Sequence, residues 1–142
     1  MDKTNEAKLI HLFEVAKLWA NPNNISYADA EERVSHSFGE YLRRYGLSGK
    51  FVFEDAYSGD DKLGLEFNED LFIEVHKYNY KGKPKYSFDI QTSGSDMSKD
   101  ELIDRVREIF IPLANENNPE TGKLTVEQFA KVNNTPDKGV RR

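Results

Sequence analysis

The chain is predicted to fold as an α+β domain, a four-stranded antiparallel meander with helices packed on one face, in the order ααββββαα. Two observations carry this. Apolar residues recur at helical spacing near both ends and alternate with period two between residues 51 and 90. Helices and strands are therefore segregated along the chain, the pattern of a two-layer α+β domain. At 142 residues the length suits one domain. We expect residues 1–132 to form it and 133–142 to be a mobile tail.

The first helix is expected over 4–20. Leu9, Leu12, Phe13, Ala16, Trp19 and Ala20 form one stripe, and "NPNN" at 21–24 breaks it. Ile10 and Leu18 fall off that stripe, for a later element or a partner to cover. The second helix starts at Ser26 as N-cap, lines Tyr27, Ala30, Val34, Phe38, Tyr41, Leu42 and Tyr45 on one face, and stops at Gly46.

Four short strands follow. Phe51 and Phe53 alternate, then Leu63, Leu65 and Phe67, then Leu71, Ile73 and Val75, then Tyr86, Phe88 and Ile90. The intervening "YSGDD", "NED" and "YKGKP" are turn chemistry. Ser98 and Glu101 form a capping box for the third helix, striped by Leu102, Val106, Ile109, Phe110 and Leu113, with Pro112 placed to end or kink it. "NENNPETG" reads as a loop. Thr125 and Gln128 open a short fourth helix carrying Val126, Phe129 and Val132.

Charge is unevenly spread. The net is −5, yet residues 54–74 hold eight carboxylates against Lys62 alone. An acidic segment of this kind repels nucleic acid, whose phosphates need Lys and Arg, and attracts a basic partner. There is no cysteine, hence no thiolate chemistry and no cysteine zinc site. No apolar run approaches the roughly 18 residues of a membrane helix. A cytoplasmic protein is the expectation.

Each candidate for chemistry has a blander reading beside it. Asp29, Glu32, His36 and Glu40 share a side of the second helix at metal-ligand spacing, where a solvated charged face is the simpler account. His11 and His76 lie on other elements. Glu54/Asp55, Asp60/Asp61 and Glu69/Asp70 are adjacent pairs, which a strand sends to opposite faces. "DAYSGDDKLGLE" keeps only fragments of a calcium loop. No nucleophile elbow, zincin or P-loop motif occurs, and the strand-to-helix loop "QTSGSDMSK" is too acidic to cradle phosphate. "HKYNYKGKPKY" interleaves lysine and tyrosine as single-strand binders do, but it neighbours the acidic segment and suits an edge hairpin. No cofactor is expected.

With Leu71, Ile73 and Val75 inward, Glu66, Phe72, Glu74, His76, Tyr78 and Tyr80 face outward, aromatics among carboxylates on a sheet face. The leading expectation is thus a non-enzymatic acidic module, of inhibitor or immunity type, binding a basic nucleic-acid-handling protein. Glu54, Asp55, Asp60, Asp61, Glu66, Glu69, Asp70 and Glu74 supply the charge, Phe72 and Tyr78 the anchors. No direct nucleic-acid or membrane contact is expected.

Residues 35–92, "SHSFGEYLRRYGL" into "FVFEDAYSGDDKLGLEFNEDLFIEVHKYNYKGKPKYSFDIQTS", resemble in pattern the opening of the type III secretion chaperones. That resemblance implies a dimeric cytoplasmic adaptor wrapping an extended effector segment. The chain departs from that pattern by a helix in front and by lacking a second strand pair after the third helix. The alternatives are therefore this homodimeric adaptor and a metal-dependent enzyme using the Asp29, Glu32, His36 and Glu40 line.

Overall fold

The computed structural model describes residues 2–20, 32, 36, 50–55 and 61–130, with backbone alone for 20, 50–55, 68 and 117. Helix α1 spans Lys3–Ala20. Strands β1 (Lys50–Asp55), β2 (Asp61–Asn68), β3 (Leu71–Tyr80) and β4 (Lys83–Gln91) pair antiparallel in the order β1-β2-β3-β4. Helix α2 spans Lys99–Asn117, and two 3-10 turns follow at Pro119–Lys123 and Val126–Phe129.

The expected order ααββββαα is overturned. Two α-helices are present among the described residues, not four. The two faces of the sheet are described on three strands, β2–β4, with β1 contributing backbone. The expected second helix lies outside the described residues apart from helical Glu32 and His36, and the expected turn at 56–60 and tail from Asn133 lie outside them too.

The expected fourth helix is a four-residue 3-10 turn. Gln128 Oε1 does accept from the Thr125 backbone N–H at 2.6 Å, so the capping signal is real. A cap marks a start but supplies no length, and helices are costly to nucleate without a long packed face. The expected loop "NENNPETG" is also more ordered. Helix α2 runs to Asn117, and Asn118 caps the first 3-10 turn by accepting from the Glu120 N–H at 3.0 Å.

Nor does Pro112 end α2. It deprives the Glu108 carbonyl of its helical donor, but both residues are exposed, so water can serve that carbonyl. Ser98 caps the helix, its Oγ accepting from the Glu101 N–H at 3.1 Å, which is the Ser98 half of the expected capping box.

Helix α1 is buried almost all round, with Leu9, Leu12, Phe13, Val15, Ala16 and Trp19 at 0% exposure and Ile10 at 1%. A helix with no solvent face lies between layers. On one side Phe13 meets Tyr86 of β4 edge-on, and Glu14 accepts from Lys77 Nζ at 3.0 Å and the Tyr86 hydroxyl at 2.8 Å. Burial first, then the Glu14 carboxylate, push the Tyr86 phenol above its usual range. Lys17 pairs with Asp61 at 2.7 Å. On the opposite side of its wheel, α1 meets α2 through Lys8–Asp104 at 2.9 Å and Trp19 edge-on to Phe110, ring centres 4.9 Å apart. The Asn118 side chain donates to the Leu18 carbonyl at 3.2 Å.

His11, 5% exposed, joins three elements. Its Nε2 lies 2.9 Å from the Leu124 carbonyl and its Nδ1 2.8 Å from Arg107. A carbonyl only accepts and a guanidinium only donates, so His11 is the neutral Nε2–H tautomer. Burial lowers its pKa below 6.5, the Leu124 bond opposes this, Arg107 adds to the lowering, and Glu127 opposes it. The unfolded chain thus binds this proton more readily. His11's contribution is intact above about pH 6.5 and falls as pH drops through that value, by up to about 1.4 kcal/mol per unit until the folded pKa is reached. Urea midpoints between pH 8 and 5 should show this slope in wild type and lose it in His11→Gln. Equal slopes in the two proteins would refute the assignment.

Candidate functional site

The sheet's outer face is a grid fixed by register. Across β2, β3 and β4 the rows read Glu66–Phe72–Gln91, then Gly64–Glu74–Asp89, then Lys62–His76–Ser87, with Tyr78 opposite Lys85 beyond. The inner set is as the alternation predicted, with Leu63, Leu65, Leu71, Ile73 and Val75 all at 0% exposure.

Acid gathers at the β2–β3 end. Glu66, Glu69 and Asp70 are exposed, and half-buried Phe72 lies directly across from Glu66. The Glu69–Asp70 turn is held from behind, because Gly94 N–H donates to the Asp70 carbonyl at 2.8 Å. The loop "QTSGSDMSK" is occupied in shaping itself, Ser95 Oγ accepting from the Met97 N–H at 3.1 Å and Ser98 capping α2.

The remaining candidates scatter. Asp61 is 3% exposed and points inward to Lys17, away from any partner. Glu74 is half-buried and pairs with Lys62 at 3.4 Å. Tyr78 lies at the far end of the face with its ring 5.6 Å from that of His76. Asp60 and the side chains of Glu54 and Asp55 lie outside the described residues.

Asp89 is the residue that sequence reasoning missed. It is exposed and directly opposite Glu74. Like charges facing each other across strands destabilise a sheet. Only the β3–β4 register reveals this pair, and the tight turn at Lys81–Gly82 was the signal that would have given it. Both turn residues have positive φ, 52° and 77°, which defines a two-residue type I′ hairpin and hence the pairing of every position above it.

Other surfaces offer less. An open groove of about 560 Å³ on α2 is lined by Asp104, Arg107, Glu108, Ile111 and Pro112. Its charged groups are engaged, Asp104 with Lys8, Glu108 with Arg105, and Arg107 with His11 and the Lys8 carbonyl. Of the metal-ligand line, Glu32 and His36 are exposed and helical, while Asp29 and Glu40 lie outside the described residues. Among the described residues no three His, Asp or Glu side chains are grouped to hold a metal, and no helix is long and apolar enough to cross a membrane.

No family model, curated protein or solved structure matches the chain.

Proposed function

We propose that this chain is a non-enzymatic protein-binding module that engages a basic, nucleic-acid-handling protein through the acidic end of its outer sheet face, as an inhibitor or immunity protein does. The supporting observation is the grouping of exposed Glu66, Glu69 and Asp70 beside half-buried Phe72, on a turn fixed through the Asp70 carbonyl. Carboxylates presented on a fixed turn steer a cationic surface into register, and an aromatic among them supplies area that resists dissociation. The site is thus narrower than the acidic segment. Asp61 and Glu74 belong to internal ion pairs, and Tyr78 sits apart. We assign the protein to the cytoplasm, where such a partner works on nucleic acid.

The test uses a partner captured by wild type at low salt and then purified. The triple variant Glu66→Gln, Glu69→Gln, Asp70→Asn should associate about tenfold or more slowly at low salt, with dissociation less affected. Phe72→Ala should instead raise the dissociation rate. Neutralising Glu116 and Glu120, which lie on other elements, should change neither rate. Association indifferent to both salt and the triple substitution would refute the proposal.

A further inference from the structure

We infer that the free edge of β4 is a homodimer interface, pairing antiparallel with β4 of a second copy about a two-fold axis at Ser87. The hairpin geometry carries the argument. In a two-residue type I′ hairpin the closing pair, Tyr80 and Lys83, is hydrogen-bonded. Alternate positions then follow. Residues 83, 85, 87, 89 and 91 turn their backbone groups to β3, while 84, 86, 88 and 90 turn theirs to the open edge. Pro84, which has no N–H to give, falls on the outward set, where proline belongs in an edge strand. Among the described residues no strand pairs with that edge.

The same outward positions carry the inner-face side chains. Tyr86 and Phe88 pack against the core only partly, whereas Val75, directly across from Phe88, is fully buried. Among the described residues, sheet and core therefore both stop short at this edge. Lys83 and Pro84 protect its hairpin end in the usual way, but residues 86–90 extend beyond them.

Why a second copy, and not another chain? The sequence of β4 complements itself. With Ser87 opposite Ser87, Tyr86 lies opposite Phe88 of the second copy, and the two exchange both backbone bonds while their rings meet on the inner face. Ile90 N–H reaches the Pro84 carbonyl of the second copy. On the outer face Asp89 lies opposite Lys85. Asp89 is exposed and lies directly across from Glu74 within its own chain. Lys85 is 6% exposed and already engaged within its own chain, so this register sets no like charges against each other and does not depend on a new ion pair from Lys85. Because the contact is isologous, each β4 edge is used once and assembly closes at two. The inference is independent of the acidic turn, since Glu66, Glu69 and Asp70 lie on β2 and the β2–β3 turn.

Cysteine placement tests the axis. The chain has no cysteine, so Ser87→Cys introduces a single thiol. Ser87 directs its backbone to β3, so it meets Ser87 of the second copy as a non-hydrogen-bonded pair, Cα atoms about 4.5 Å apart, within disulfide reach. Mild oxidation should convert Ser87→Cys to a covalent dimer, while Ser93→Cys, exposed and beyond the strand, should not cross-link. In sedimentation, wild type should be dimeric and Ser87→Lys, which sets two ammonium groups face to face, monomeric with an unchanged circular dichroism spectrum. A wild-type protein that is monomeric at sub-millimolar concentration overturns the inference, including the case in which this edge instead receives an extended segment of another protein. A dimer that survives Ser87→Lys, with no cross-linking of the Ser87→Cys protein, overturns it as well.

Discussion

Trp19→Ala is expected to lower stability by about 3–5 kcal/mol, the largest effect of any single substitution proposed for this chain. Trp19 is fully buried, and its ring meets Phe110 edge-on at the seam between α1 and α2. Truncation removes that ring's transfer free energy and leaves a cavity walled by a helix that is itself clamped between layers. Collapse to fill the gap would pull α1 off the sheet, where Glu14 and Lys17 hold it. Against a total stability typically near 5–15 kcal/mol, the loss leaves little margin. Urea unfolding followed by far-ultraviolet circular dichroism is the readout, since Trp19 is the sole tryptophan. Trp19→Phe, which keeps a ring in the cavity, should cost markedly less. A midpoint shift for Trp19→Ala equivalent to under about 1 kcal/mol, the level of an ordinary substitution, would show that α1 is not clamped between two layers.

The position of α1 also marks the limit of what the sequence made legible. The stripe Leu9, Leu12, Phe13, Ala16 and Trp19 correctly located one buried face. It could not show that Ile10 and Val15 are buried too, because a helix between two layers has no polar face to contrast with its apolar one. Nor could the spacing of Glu14 and Lys17 show that Lys77 and Asp61 are placed over them. Strand alternation was a stronger signal. It assigned the inner faces of β2 and β3 because a period of two depends only on the pleat. Register was not stated by alternation, so neither the Glu74–Asp89 opposition nor the meeting of Asp61 with Lys77 was foreseen. The candidate site narrowed for the same reason. Eight carboxylates in one segment look alike in one dimension, and only burial in three dimensions separates inward Asp61 from exposed Glu66, Glu69 and Asp70. The fourth helix failed on a different ground, since a capping box fixes where a helix starts and says nothing of how many residues can follow.

Lys17→Met should cost about 2–3 kcal/mol, more than Asp61→Asn at the other end of the same ion pair. The asymmetry follows from burial. The Asp61 side chain is 4% exposed and that of Lys17 35%. Removing the lysine strands a carboxylate under the helix, and an uncompensated buried charge is worth about 3–5 kcal/mol when nothing relieves it. Here Lys77 lies across from Asp61 on β3, and the Lys17 ammonium was partly solvated from the start, so the expected figure sits below that range. Asp61→Asn leaves only a lysine that can turn to water. The double variant Lys17→Met, Asp61→Leu should recover most of the loss, because apolar replacement of both partners leaves no charge to desolvate. Urea midpoints at constant slope measure all three. Equal losses for the two single variants, or a double variant no better than Lys17→Met, would refute the argument. The same Asp61→Asn protein separates folding from binding. Its association with the basic partner should match wild type well below its unfolding transition, whereas Glu66→Gln, Glu69→Gln, Asp70→Asn should associate slowly even well below its own transition. Carboxylates that share one segment of sequence would then divide into one that holds α1 to the sheet and three that meet the partner.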